Sequence, residues 1–210
     1  LNAILGFSQL LESDTETPLT EEQKENVDYI ISGGRHLLAL INQVLELSAI
    51  EARQVQLNIE TIDIQKVVDE VLPLINTLAD KTNIQIHVLP DKSYSIKADD
   101  TALKQIIINL MSNAIKYNKP EGCVCLTWQQ VSEQRIKISI TDKGLGISEE
   151  NQKKVFSAFN RLGQEHSGIE GTGIGLVVTK NLVEMMQGEI GFSSTLGVGS
   201  TFWIELPLES

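Results

Sequence analysis

Several things are missing from these 210 residues. No apolar run approaches the roughly 20 residues a membrane-spanning helix needs, and no signal peptide opens the chain. The expectation is a soluble, cytoplasmic piece, joined to a membrane only through segments upstream of it. There is no Lys/Arg-rich run, and 17 basic residues face 28 acidic ones for a net charge of −11. That balance argues against nucleic acid or an anionic lipid surface as the main partner. It leaves a nucleotide open, because a phosphate site needs only local donors. Cysteine is scarce. The two residues, Cys123 and Cys125, share one face of a β-like stretch. Such neighbours seldom suit a disulfide, and two thiolates do not complete a zinc site. They are expected to be buried free thiols. No initiator methionine precedes Leu1-Asn2-Ala3-Ile4, and no capping residue precedes its apolar pattern. The chain therefore reads as a fragment that begins inside a helix. There is no internal repeat and no low-complexity tract.

What is present is an ordinary globular composition, 41% hydrophobic and 21% charged, with enough residues for one domain and a smaller one. Leu1, Ile4, Leu5 and Leu11 fit a helical stripe that ends near Ser13-Asp14. Thr20-Glu21-Glu22-Gln23 is a capping-box pattern. It predicts a long helix to about Glu51. Its small and apolar residues fall in three columns of heptad spacing: Val27, Gly34, Ile41 and Ser48; Ile30, Leu37 and Val44; Ile31, Leu38 and Leu45. A stripe this broad suits a four-helix bundle, and one hairpin supplies two helices, so a second copy is expected to supply the others. Residues 1–53 thus read as a dimerising hairpin and 54–210 as a separate domain.

In that domain, Val55–Ile59 alternates and predicts a short strand. Ile64–Ala79 predicts a helix with Val67, Val68, Val71, Leu72 and Ile75 as its apolar face, and Pro73 predicts a kink or early stop. Ile84–Val88 and Ser95–Ala98 read as strands, Thr101–Tyr117 as a helix, and Val124–Val131 with Arg135–Thr141 as a hairpin. A weak helical pattern covers Glu149–Phe156 and a clear one Ile174–Met186. Glu189–Ser194 and Thr201–Leu206 close the chain as strands. Helices against a mostly antiparallel sheet make the class α+β, layered.

Four local patterns bear on chemistry. In the first, Asn109-Leu-Met-Ser-Asn113-Ala-Ile-Lys116-Tyr117, the two asparagines lie at i and i+4 and share a helix face. Amide oxygens there can hold a hydrated Mg²⁺, and Lys116 adds charge toward a phosphate. The second, Asp142-Lys-Gly144-Leu-Gly146, follows a strand. Its carboxylate can accept from an exocyclic amine such as adenine's, and its glycines admit close backbone approach. The third is Phe156-Ser-Ala-Phe159-Asn-Arg161. The fourth, Gly171-Thr-Gly173-Ile-Gly175-Leu176, opens a helix and can form an anion site from free N–H groups. It is neither a dinucleotide fingerprint nor a P-loop, because no strand precedes it and no Gly-Lys-Ser/Thr follows. Between the third and fourth lies Leu162–Glu170, polar and glycine-bearing, a lid candidate. Singly, each pattern is also what a solvated helix face, a turn, a pair of core phenylalanines or a helix start would give.

In this order and spacing, the four resemble the N, G1, F and G2 boxes of the histidine-kinase ATP-binding domain. Gly197-Val-Gly199-Ser200-Thr201-Phe202 resembles that family's closing strand motif. Leu1-Asn-Ala-Ile-Leu-Gly6-Phe resembles the sequence that follows the phosphoacceptor motif His-Glu-Leu-Arg-Thr-Pro. The resemblance spans essentially the whole chain and implies a layered α/β sandwich behind a dimerising hairpin. It implies that Asn113 ligates Mg²⁺ with Asn109 in support, and that Lys116 and Tyr117 line phosphate and base. Asp142 would read the adenine amine, and Gly144 and Gly146 would shape that wall. Phe159 and Arg161 would root the lid. Gly171, Gly173 and Gly175 would cradle the phosphates, and Leu176 and Thr201 would belong to the ATP site. ATP, Mg²⁺, a second copy and the receiver domain of a response regulator are the implied ligands and partners.

Two departures matter. The phosphoacceptor histidine, by the family's register, would stand just before Leu1. His36, His87 and His166 lack its context and are expected in structural roles, so these residues would bind ATP without phosphorylating themselves. Relatives of the fold that hydrolyse ATP carry a glutamate four residues before the metal-binding asparagine. Here that position is Asn109, an amide that takes no proton from water. The expected activity is phosphoryl transfer to histidine and then to an aspartate. The competing reading is a degenerate kinase serving as a nucleotide-gated scaffold or phosphatase.

Overall fold

The computed structural model describes residues 1–52, 54–161 and 171–209. The chain divides into two compact units, Leu1–Ala52 and Arg53–Ser210. In the first, α1 (Asn2–Ser13) and α2 (Glu21–Glu51) pack as a hairpin. Thr20 caps α2 in full. Its hydroxyl accepts from Gln23 N–H, and the Gln23 side chain accepts from Thr20 N–H at 3.0 Å. Two otherwise unpaired donors are satisfied by residues three apart, which is why the helix start is legible locally. Val27 and Ile31 are buried, but Ile30, Leu37 and Val44 stay 48%, 49% and 39% exposed. One apolar column of the hairpin therefore faces solvent in a single chain.

The second unit is a layered α/β sandwich. It holds β1 (Glu60–Asp63), α3 (Ile64–Thr82), β2 (Gln85–Pro90), β3 (Ser95–Ala98), α4 (Asp100–Lys116) and β4 (Cys123–Ser132). Then come β5 (Arg135–Asp142), α5 (Glu149–Gln152), α6 (Gly175–Met185), β6 (Glu189–Thr195) and β7 (Gly199–Pro207). Five strands form one sheet in the order β2-β4-β5-β7-β6, and β1 pairs with β3 in a small second sheet. The large sheet is antiparallel except at its β2 edge, which runs parallel to β4. Val124, Leu126 and Trp128 of β4, Ile136, Ile138 and Ile140 of β5, and Ile204 and Leu206 of β7 supply its covered face. The helices supply Val67, Val68, Leu103, Ile106, Ile107, Leu110, Leu182 and Val183 in return. Trp128 keeps its indole N–H satisfied on Lys92 O at 2.9 Å, so its burial leaves no orphan donor.

Three expectations are corrected. Val55–Ile59 forms no strand: the alternation is there, but Asn58 N–H goes to the Asp99 carboxylate at 2.7 Å rather than to a neighbouring strand. Pairing starts at Glu60, opposite Ala98. Pro73 does not stop α3, which runs to Thr82 and ends on Asn83 in the left-handed conformation, φ 55°. The ring lies on an exposed side of the helix, where packing of Val67, Val71 and Ile75 outweighs a lost hydrogen bond. Cys123 and Cys125 are free but only half-buried. The alternate positions of β4 take the helix-covered face, and the thiols take the other. Burial and the neighbouring Cys123 raise the pKa of Cys125.

Candidate functional site

Asp142 ends β5 and, among the described residues, is the one buried charged side chain. Its Oδ1 accepts from Gly144 N–H at 2.8 Å and from Ser200 N–H at 3.3 Å. Burial raises its pKa from the ordinary aspartate value, and the two backbone bonds pull it partly back. Oδ2 has no hydrogen bond among the described residues. The carboxylate is thus oriented by one oxygen and open at the other.

The loop after Asp142 sits between the end of α4 and the β6–β7 turn. Leu145 N–H donates to Tyr117 O at 3.0 Å, Gly197 N–H to Leu145 O at 2.7 Å, and Ile147 N–H to Ser194 Oγ at 2.8 Å. A Cβ at Gly144 would overlap the Tyr117 carbonyl, and one at Gly146, φ 65°, would overlap the Thr195 carbonyl. Both glycines are demanded by backbone contact.

On α4, Asn109 and Asn113 are half-buried and Lys116 is exposed. Asn109 Nδ2 donates to Thr179 Oγ1 of α6 at 2.7 Å, and its Oδ1 lies against Gly175, where a Cβ would overlap it. The Asn113 amide makes no hydrogen bond among the described residues. Tyr117 caps the helix and is half-buried. Burial raises its phenol pKa, and the charge of Arg161 opposes that shift. A Cβ on Gly171 would stand 3.5 Å from its hydroxyl.

Phe159 is 64% exposed and holds a left-handed backbone, φ 61°. A bulky residue in that region is strained by about 1–3 kcal/mol and persists where the surroundings over-determine it. Here its N–H donates to Gly173 O at 3.1 Å, while Gly173 itself has φ 72° against the Asn160 backbone. Phe156 meets Phe192 edge-on at 5.9 Å, and Phe192 stacks on Phe202 at 5.5 Å, anchoring this segment to the sheet. Leu176 lies half-buried in the first turn of α6. The lid candidate Leu162–Glu170, with His166, lies outside the described residues.

The structure therefore joins four segments that are far apart in sequence, through Gly144 to Tyr117, Gly171 to Tyr117, Gly175 to Asn109, and Phe159 to Gly173. It separates Thr201 from them. Thr201 pairs with Thr141, their hydroxyls 2.9 Å apart, on the face away from Asp142. Strand alternation turns its neighbour Ser200 inward instead, buried beside Asp142. Sequence reasoning misses Ser200, Thr179 and Ser194. Ser200 is recoverable from period-two alternation once Asp142 is taken as inward. Thr179 and Ser194 carry no local signal.

Residues 98–210 match the family model for the histidine kinase-, DNA gyrase B-, and HSP90-like ATPase, and residues 1–53 match that for the His Kinase A (phospho-acceptor) domain. The chain belongs to the two-component sensor histidine kinases. This histidine kinase is 37% identical over 215 residues to the circadian input-output histidine kinase CikA of Synechococcus elongatus, across 99% of this chain and 28% of CikA. It is 34% identical over 209 residues to histidine protein kinase DivJ of Caulobacter vibrioides, across 99% of this chain and 35% of DivJ. Full-length ShkA, crystallised with AMPPNP, superposes with a TM-score of 0.82 at 31% identity, covering 100% of this chain and 43% of ShkA. The kinase chain spans about a quarter to a third of the curated relatives named here. No helix among its described residues is long and apolar enough to cross a membrane.

Proposed function

We propose that these residues are the ATP-binding and dimerising core of a protein-histidine kinase, which moves the γ-phosphoryl group of ATP to a histidine for relay to an aspartate on a response-regulator receiver domain. The observation that carries this is the convergence of the four motifs. Asp142 presents an open carboxylate oxygen beside a glycine-built wall, and the N-terminus of α6 meets the asparagine face of α4. A base amine fits the first, and phosphate oxygens fit the second. Asp142 would read the adenine amine, Gly144 and Gly146 would leave room for the base, and Tyr117 would flank it. Gly171, Gly173 and Gly175 would hold phosphates with backbone N–H groups, and Lys116 would add charge from α4.

Asn113, with its amide uncommitted among the described residues, would hold Mg²⁺, which when bound neutralises charge on the transferring phosphates. Asn109 stands where a hydrolytic relative has glutamate, and it is tied to Thr179. An amide so placed cannot deprotonate water, which favours transfer over hydrolysis. The exposed column Ile30, Leu37 and Val44 supports burial of residues 1–53 against a second copy, with 54–210 as the catalytic domain. None of His36, His87 and His166 is taken as the acceptor, since none stands in the His-Glu-Leu-Arg-Thr-Pro context.

The test is calorimetric binding of ATP with and without Mg²⁺, then incubation of a chain extended upstream with γ-labelled ATP. Label on a histidine, stable to base and lost in acid, is the expected result. Absence of nucleotide binding would overturn the reading. Binding without label would favour the scaffold or phosphatase.

A further inference from the structure

We infer that Thr179 is a positioning residue: its hydroxyl decides which end of the Asn109 amide faces the phosphate and metal site. The inference rests on the proposed Mg²⁺-nucleotide reading and deepens it.

Asparagine is chemically two-ended. One terminus accepts hydrogen bonds or ligates a cation, and the other only donates. Rotation by half a turn exchanges them at almost no steric cost, so a side chain that must offer oxygen needs something to hold its nitrogen elsewhere. Thr179 does this. It is 2% exposed, on the buried side of α6, and its Oγ1 accepts from Asn109 Nδ2 at 2.7 Å. With the nitrogen held, Oδ1 rests against Gly175, the first residue of α6, where a Cβ would overlap it. That is the helix end whose N–H groups point toward anions. Asn113 lies one turn further along the same face of α4, so the two amide oxygens can serve one hydrated cation. Were the amide reversed, an NH₂ group would meet the cation or its water hydrogens, and the interaction would change sign.

Two features separate this from a routine interhelical contact. The bond is made by a residue of the proposed metal face itself, not by a neighbour of it. Gly175 also leaves the space that the amide oxygen occupies, so α6 contacts both ends of the amide. Among the described residues the Thr179 hydroxyl is engaged by Asn109 Nδ2 alone, as its acceptor.

The experiment is titration of the 210-residue protein with ATP at a series of Mg²⁺ concentrations, and with ATP in chelator, alongside thermal melting without nucleotide. Thr179→Val preserves shape and removes the acceptor, and Thr179→Ser preserves it. Thr179→Val is expected to raise the Mg²⁺ concentration for half-maximal ATP binding about fivefold to thirtyfold, the size of one lost hydrogen bond of about 1–2 kcal/mol. It should leave metal-free binding within twofold, and Thr179→Ser should stay within twofold of the parent throughout. In an Asn109→Ala background, Thr179→Val should change nothing further, since the residue acts through Asn109. Equal weakening with and without Mg²⁺, an unchanged Mg²⁺ dependence, or additive effects in the double variant would each overturn the inference. Should Thr179→Val not fold, Thr179→Ala carries the same expectations. A parent protein that binds no ATP, or binds it without regard to Mg²⁺, would defeat the underlying reading rather than this residue's role alone.

Discussion

Replacing Asp142 by asparagine isolates base recognition from architecture. In the parent, Oδ1 is already occupied by the N–H groups of Gly144 and Ser200, and Oδ2 is the open atom. Asparagine can keep its oxygen on those two donors. Its NH₂ then stands where Oδ2 stood, so an acceptor becomes a donor facing the adenine amine. The lost bond is charge-assisted and partly desolvated, which corresponds to about 1.5–3 kcal/mol, or roughly tenfold to just over a hundredfold in affinity. ATP and ADP should weaken alike, because the base is common to both, and preference for adenine over guanine should shrink. Alanine would be a poorer probe, since it strands two inward N–H donors at about 1–3 kcal/mol each. Calorimetric titration with ATP, ADP and GTP gives the answer. Parental ATP affinity and intact adenine preference in Asp142→Asn would refute the assignment.

The same substitution has a stability consequence with a definite sign. Burial raises the Asp142 pKa above its unfolded value, so the folded state binds the proton more readily than the unfolded chain does. Ionised Asp142 therefore costs stability above the raised value, and the cost disappears as pH falls through it. Asp142→Asn without nucleotide should melt higher than the parent at pH 7, with the gap narrowing toward pH 4.

Three further outcomes follow from particular contacts. Asn113→Ala should weaken Mg²⁺-dependent ATP binding about tenfold, the size of one lost contact of roughly 1.4 kcal/mol, while sparing metal-free ATP; equal loss in both would return this helix face to a solvated role. Light scattering should give about twice the 23.2 kDa chain mass, and Leu37→Glu, in the exposed column, should give the single mass; a parent that stays single at high concentration would refute the bundle. Thr20→Ala should lower the stability of the hairpin by about 1 kcal/mol through loss of the capping box, read from the helical signal in chemical denaturation; an unchanged midpoint would show that α2 does not depend on its cap.

Much of this protein is legible in the order of its amino acids alone. Thr20 and Gln23 announce the start of α2 because a cap is made by residues three apart, and α4 and α6 are announced by apolar period. The order of the four motifs also carries the family, since each motif is local and their spacing is a property of the chain. What the sequence leaves undecided are the pairings made across distance. Val55–Ile59 alternates as well as Glu60–Asp63 does, but only the latter meets a partner strand, because Asp99 takes the N–H of Asn58. Whether β2 lies parallel to β4 at the sheet edge is set by the crossover through β3 and α4, not by any residue of β2. Thr201 and Ser200 are adjacent and chemically alike; period-two alternation with Ile204 and Leu206 turns Ser200 to the covered face, and the register of β7 against β5 is what sets it opposite Asp142. Thr179 sits mid-helix with nothing local to mark it, and it gains a role from the approach of α6 to Asn109 on α4. Caps and periods are short-range energies that a sequence states directly; register and interhelical contact are chosen by packing of the whole unit, and only the tertiary structure records that choice.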